Sequence, residues 1–386
     1  MARDEDGIES RELEELVAAS RLDEVHMVAW RDLDDPEAGG SELHAHRVAS
    51  RWAEAGLRVS ARTSAVPNAA VELSRDGYSV VRRGGRYGVF GQVALEGLRR
   101  PVSPSLGVVE IWNGMPFFSP LWFKGPRIVF LHHVHGEMWE MALSKGLAML
   151  GNSIESGIAP RLYRSSTIVT LSESSKEEIV ERLRMPPERV HVVPPGIEAR
   201  FTAGGELSSQ PSVVAVGRLV PVKRFDLLLR QLAIAKRVVP ELTATIIGEG
   251  YERGDLEALR SSLGADEWIS MPGRVSDAEQ VAAYRSAWLV ASSSLREGWG
   301  MTLTEAAACG TPSVATDIAG HRDAVRDGTS GILVADAERL SEVFVEVLGD
   351  EGRRSALAKG ALDYAESLTW ERTATETFRL LDQMAR

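Results

Sequence analysis

Arg296-Glu-Gly-Trp-Gly-Met-Thr-Leu-Thr-Glu-Ala-Ala-Ala-Cys-Gly-Thr-Pro312 is the stretch on which the reading of this chain turns. It follows a short apolar run, Leu289–Ser292, that predicts a buried strand, and it opens a segment with helical character. Gly298 and Gly300 allow a ligand close to the backbone, and the unpaired N–H groups at a helix start can hold an anionic phosphate. Glu297 falls in the loop, while Glu305 falls inside the helix among Leu303, Ala306, Ala307 and Ala308. A carboxylate accepts two hydroxyl hydrogen bonds, which suits a sugar or a ribose. The plainer alternative makes Glu297 a charge complementing the helix dipole and Glu305 the partner of a nearby cation. On so apolar a stretch, Glu305 still needs a partner that offsets its burial.

Outward from this stretch, strand and helix patterns alternate along both halves. Strands are predicted at Val25–Trp30, Leu57–Ala61, Tyr78–Val81, Val108–Trp112, Ile128–Leu131, Thr167–Leu171 and Val190–Val193. In the second half they fall at Ser212–Val216, Leu242–Ile247, Trp268–Met271, Leu289–Ser292, Pro312–Ala315 and Ile332–Val334. Several are continuous apolar runs, as expected for parallel strands covered on both faces. Helix-like segments lie between them, including an amphipathic leader at Ile8–Leu22, Ser41–Gly56 and Ser174–Arg184. At 386 residues the chain exceeds one ordinary core. The Gly/Pro/Ser-rich stretches Pro194–Glu198 and Thr202–Pro211 read as the linker. Two successive βα arrays predict two doubly wound domains with ligands at their strand ends, facing across a cleft that a hinge can close.

Three further motifs sit at such strand ends. Gly217-Arg-Leu-Val-Pro-Val-Lys-Arg-Phe-Asp226 can place Arg218 and Lys223 against a diphosphate, with Asp226 fixing one cation. Taken alone, it is an ordinary turn with solvated charges. Pro36-Glu-Ala-Gly-Gly-Ser-Glu42 puts Gly39 and Gly40 before a helix; Ser41 reads equally as a cap, and the spacing matches neither a dinucleotide fingerprint nor a phosphate loop. Leu131-His-His-Val-His-Gly-Glu-Met-Trp139 concentrates His132, His133 and His135, whose spacing lacks that of a zinc site. They read as neutral rings packed beside Trp139, with at least one touching a ligand. Trp112, Asn113, Phe117, Phe118 and Trp122 read as aromatic packing first and an acceptor face second.

Composition narrows the function classes. A net charge of -11 argues against a nucleic-acid partner. Arg82, Arg83, Arg86, Arg99 and Arg100 read as a solvated face and a helix end. A single cysteine, Cys309, precludes an internal disulfide and reads as a small buried hydrophobe, implying a cytoplasmic location. No apolar run approaches ~20 residues, so any lipid contact would be peripheral.

Together these motifs, in this order and spacing, resemble glycosyltransferase family 4, the retaining nucleotide-sugar transferases with the GT-B fold. The resemblance covers nearly the whole chain: the Gly-Gly loop, the strand-end histidine, the Gly-Arg…Lys loop and the Glu-x7-Glu segment. It implies an α/β chain with an acceptor-side Rossmann-like domain over 1–197, a nucleotide-sugar domain over 198–368, and a final helix over 369–386 returning to the first domain. It further implies Gly217, Arg218 and Lys223 at the diphosphate, Glu305 at the ribose hydroxyls and Glu297 at the sugar hydroxyls. The Gly298, Trp299, Gly300, Met301 and Thr302 backbone would surround sugar and phosphate, with Gly40 approaching the phosphate across the cleft. Arg274 and Val275 match the segment that meets the base, and His133 the histidine beside the reacting sugar, with His132 as the alternative. Gly39, Glu42, Asn113, His132 and His135 then fall on the acceptor side. Pro194-Pro195-Gly196 stands where relatives carry Pro-Asn-Gly, which removes any role for an Asn side chain there.

The expected reaction is retaining transfer of a hexose-type sugar from a nucleotide diphosphate sugar to the hydroxyl of a lipid, glycan or small molecule. Arg218, Lys223 and helix-start amides would stabilise the leaving diphosphate. No acid and nucleophile pair points to hydrolysis, and no Asp-x-Asp pair is dedicated to a diphosphate-bound metal, so neither cofactor nor metal is expected. A nucleotide-sugar epimerase and a non-catalytic sugar-nucleotide-binding protein are the alternatives.

Overall fold

The computed structural model describes residues 2–101, 103–136, 139 and 144–386. The chain divides into two compact units, one of residues 1–196 with 369–386 and one of residues 197–368.

In the first unit the strands are β1 (Glu24–Val28), β2 (Arg58–Thr63), β3 (Glu72–Arg75), β4 (Tyr78–Arg82), β5 (Leu106–Ile111), β6 (Arg127–Phe130), β7 (Thr167–Thr170) and β8 (Val190–Val192). They form one sheet in the order β3-β4-β2-β1-β5-β6-β7-β8. Every pairing is parallel except β3 with β4. β5 is buried at all six positions, Glu110 included, as expected for a central parallel strand covered on both faces. The sheet order reverses direction between β1 and β5, so the loops leaving these two strands meet at a switch point.

The helix Trp370–Gln383 packs in this unit against the helices Ala2–Ala19 and Gly40–Glu54. Its Ala374 and Phe378 are fully buried, and the Trp52 indole donates to the Ala374 carbonyl at 2.9 Å. A Cβ on Gly196 would lie 2.2 Å from the Trp370 backbone nitrogen, so this crossing tolerates only glycine.

The second unit contains β9 (Ser212–Val216), β10 (Thr243–Ile247), β11 (Ile269–Gly273), β12 (Leu289–Ser292), β13 (Ser313–Thr316) and β14 (Gly331–Val334). Its sheet is wholly parallel in the order β11-β10-β9-β12-β13-β14. In order of appearance this is 3-2-1-4-5-6, the doubly wound arrangement with its switch point between β9 and β12. Alternate residues of β9 serve two cores: Val213 and Ala215 join one, Val214 the other.

Three expectations need correcting. The stretch Thr202–Pro211 is not a free linker. Arg285 donates to the Thr202 carbonyl at 2.7 Å and the Trp288 indole to the Ser208 carbonyl at 2.8 Å, so it is packed on the second unit. Arg82 is not on a solvated face but 3% exposed, paired with Asp32 and Asp34. β3 was not expected at all; it is a short polar strand turned back by Asp76 and Gly77, both at positive φ.

Candidate active site

At the switch point of the second unit, two loops carry the residues singled out from the sequence. β9 ends at Val216, and Gly217–Val220 is pinned to the β10 end. Gly217 N–H donates to the Ile247 carbonyl at 3.0 Å and Leu219 N–H to the Glu249 carbonyl at 2.9 Å. A short turn, Pro221–Lys223, then delivers Lys223 while Arg218 stays exposed. From the other side, β12 runs into Ser293–Trp299 and then the helix Met301–Ala308, with Gly300 as its N-cap at φ 111°. Only glycine takes that conformation without strain. The N–H groups of Met301 and Thr302 open the helix and have no acceptor within it.

The structure brings Lys223 and Glu297 together: the ammonium is ion-paired to Glu297 Oε1, which also accepts from the Ser294 hydroxyl at 2.8 Å. Burial pushes the Glu297 carboxyl up, but Lys223, His321 and the two hydrogen bonds outweigh it and hold it below the usual carboxylate range. His321, which the sequence did not single out, is fully buried beneath this loop. Its Nδ1 lies 2.8 Å from the Thr316 carbonyl and its Nε2 3.3 Å from the Ser292 hydroxyl. A carbonyl only accepts, so the proton is assigned to Nδ1. Gly320 (φ 85°) presses on the same loop; a Cβ there would sit 2.6 Å from the Glu297 carbonyl oxygen.

Glu305 lies inside the helix and is 9% exposed. Its Oε2 accepts from Tyr284 Oη at 3.1 Å and from Gln280 Nε2 at 3.2 Å, two partners that sequence reading missed. Both acids thus have one oxygen engaged by protein donors, and among the described residues no hydrogen bond reaches the other. The Trp299 indole nitrogen is likewise buried with no acceptor among the described residues. Arg274 and Val275 follow the end of β11, Arg274 exposed and Val275 partly buried against the core cluster that includes Tyr284 and Val281.

Burial raises the Glu305 carboxyl to about 7, opposed by the Tyr284 hydrogen bond. The unfolded carboxyl titrates near 4.5, so the folded chain binds this proton more tightly. The contribution to stability is complete below about 4.5 and is lost as pH rises through 7. Replacing Glu305 with glutamine should therefore flatten the dependence of Tm on pH between 5 and 8 and stabilise the protein at pH 8 by up to about 3 kcal/mol. Parallel melting profiles for both proteins across that range would contradict this.

In the first unit, the loops leaving β1 and β5 bring Gly39, Gly40, Glu42 and Asn113 together. Glu42 Oε2 accepts from the Gly39 N–H at 2.8 Å and from the Ser41 hydroxyl at 3.0 Å, and Asn113 donates to that hydroxyl at 3.2 Å. Glu42 is therefore spent on fixing the Gly-Gly turn. Asp32 and Asp34 are held by Arg75 and Arg82.

The three histidines separate. His132 is 5% exposed, with Nε2 3.2 Å from Nδ1 of the buried His44, and burial drives both rings well below the usual imidazole range. His133 and His135 are partly exposed and stack at 4.7 Å.

A family model described as "Glycosyltransferase Family 4" matches residues 38–201, and one described as "Glycosyl transferases group 1" matches 197–363. The chain belongs to glycosyltransferase family 4. It is accordingly an enzyme that draws on a nucleotide-sugar donor. The D-inositol 3-phosphate glycosyltransferase of Thermobispora bispora is 29% identical over 390 residues, covering 89% of this chain and 90% of that one. The protein of that name from Salinispora tropica is 35% identical over 237 residues, 54% of this chain and 49% of its own length. Among solved structures, a sucrose-phosphate synthase from Thermosynechococcus elongatus aligns with a TM-score of 0.79 at 18% identity, covering 93% of this chain and 98% of that one. The fold of this family 4 enzyme is GT-B. No helix among the described residues is long and apolar enough to cross a membrane.

Proposed function

We propose that this enzyme is a retaining hexosyltransferase that moves a sugar to an acceptor hydroxyl without a metal and without a covalent sugar intermediate. The observation that carries the reading is the meeting, at one switch point, of Lys223, the paired Glu297 and the free amides of the helix Met301–Ala308, with Glu305 on that same helix. The donor diphosphate sits on those amides, with Arg218 and Lys223 neutralising charge as the bond to the sugar breaks. The open oxygen of Glu297 accepts from sugar hydroxyls and that of Glu305 from the ribose. Arg274 and Val275 border the base. The acceptor hydroxyl attacks from the face the diphosphate leaves and passes its proton to the departing phosphate. The acceptor-side unit supplies Gly39, Gly40, Asn113, His133 and His135, with the reacting sugar beside His133. With Cys309 its single cysteine, the chain makes no internal disulfide, which supports a cytoplasmic enzyme.

A thermal-shift panel of UDP-, GDP- and ADP-linked sugars, with and without added Mg²⁺, tests this. A bound donor at 100 times its Kd should add about 2.7 kcal/mol of stability, a rise in Tm of several degrees. Proton NMR of the product then reports the anomer, with D-inositol 3-phosphate, the acceptor in the relatives' names, tried first. No shift with any sugar nucleotide, an inverted anomer, or strict dependence on a divalent cation would each contradict the reading.

A further inference from the structure

Glu155 is fully buried, and nothing in the donor chemistry requires it. It lies in Ile154–Ile158, a π-helical turn set between the α-helices Lys145–Ser153 and Ala159–Tyr163. Such turns insert a residue into a helix and redirect the side chains around it, often at functional sites. Here the carboxylate is aimed at the loop that leaves β6. Oε1 accepts from the His135 N–H at 2.8 Å, and Oε2 accepts from the Gly136 N–H at 3.1 Å and the Trp139 indole at 2.9 Å. His135 Nδ1 also lies 3.8 Å from Oε1.

The indole is wedged as firmly as the carboxylate. A Cβ on Gly151 would lie 2.8 Å from the Trp139 ring. One on Gly114, at φ 76°, would lie 3.1 Å from both that ring and His135 Nε2. Two glycines thus open a slot for Trp139, and the rings continue from it, His135 5.2 Å from Trp139 and His133 stacked on His135.

We infer that Glu155 is a positioning residue for glycosyl transfer: it clamps the backbone of the histidine loop and so fixes where the His133 ring stands. This rests on the proposed function, which places His133 beside the reacting sugar. A carboxylate suits the task because the His135, Gly136 and Trp139 N–H donors converge on it. A glutamine of the same shape offers one acceptor oxygen and turns an NH₂ toward N–H groups. Displacing a reacting group by about 1 Å costs on the order of 10²-fold in rate.

The test compares wild type with Glu155→Gln and Trp139→Phe, using UDP-glucose or whichever sugar nucleotide shifts the melting temperature. For Glu155→Gln, kcat for nucleoside diphosphate release should fall about 10²-fold while the donor KM stays within about twofold. Amide hydrogen exchange of His135 and Gly136 should quicken at least tenfold. Trp139→Phe keeps the ring in its slot, loses the indole donor, and should show the same pattern at about tenfold in kcat; it carries the test if the buried amide prevents folding. Unchanged exchange in both variants overturns the clamp. Quickened exchange with wild-type kcat overturns the positioning role. A wild-type protein that turns over no sugar nucleotide overturns instead the functional reading on which that role rests, and the exchange measurement then still reports on the clamp.

Discussion

Replacing Lys223 with alanine is expected to lower kcat/KM for donor turnover by about 10³-fold, the largest effect on activity of any single exchange in the second unit. Two losses combine. On the proposed reading the ammonium supplies positive charge where the diphosphate leaves, and removing one such preorganised donor costs about 10²–10³-fold. It also neutralises Glu297, whose carboxyl it helps hold in the charged form against burial. Without Lys223 that carboxylate would face the proposed diphosphate as a like charge in a partly desolvated pocket, and orphaning a partly buried partner adds a cost of up to about 3 kcal/mol. The two effects separate in a double-mutant cycle. If the pair acts as a unit, Lys223→Ala with Glu297→Gln should lose less than the product of the single losses. Multiplicative losses would mean that Lys223 and Glu297 act independently. A Lys223→Ala enzyme within tenfold of wild type would remove the lysine from the leaving-group role altogether.

Lys223 and Glu297 lie 74 residues apart, yet the sequence marks out each, because each follows a parallel strand and the ends of such strands gather at one edge of a doubly wound sheet. The same logic made the strands legible. Ser212–Val216 and Leu289–Ser292 are apolar but for one terminal serine each because helices cover both faces, and their bounds agree with the observed strands. β3 escaped because Glu72-Leu-Ser-Arg75 is a polar, partly exposed edge strand; only the Asp76-Gly77 turn announces it. Arg82 was misplaced because a run of arginines carries no sign of its partners, and the acids that bury it stand 48 and 50 residues away. The harder losses are Glu155 and Glu110. Glu155 is held by the His135 and Gly136 amides and the Trp139 indole; Glu110 accepts from the Phe117 and Ser119 amides and the Tyr163 hydroxyl. Backbone donors have no residue identity, so no pairing of letters in the sequence reveals such a clamp. Tyr284 and Gln280 beside Glu305 were hidden differently, on a neighbouring helix that reads as ordinary surface until packing is known.

The glycines at the end of β10 carry the second large effect, this time on stability. Gly248 has φ 143°, and a Cβ built there would lie 1.9 Å from the Gly217 carbonyl oxygen. Gly250 repeats the contact one step further, 2.1 Å from the Leu219 oxygen. Backbone thus lies directly on backbone, and flexible side chains cannot move to relieve the clash. Gly248→Ala must take an unfavourable φ, at about 1–3 kcal/mol, and push aside the turn that presents Arg218, at about 1–3 kcal/mol more. A combined loss of about 2–6 kcal/mol should lower the melting temperature by roughly 4 °C or more in a unit of this size. Because the displaced atoms belong to the loop proposed to hold the diphosphate, donor affinity should fall with stability. Gly254→Ala is the control: it lies in the helix Arg253–Ser262 with nothing within 4 Å of the added methyl, so alanine should leave stability unchanged or raise it by about 0.4–1 kcal/mol. A Gly248→Ala protein that melts with wild type would mean the β9 turn gives way at little cost. One that melts low but binds sugar nucleotides at full affinity would mean that Arg218 does not depend on the turn for its place.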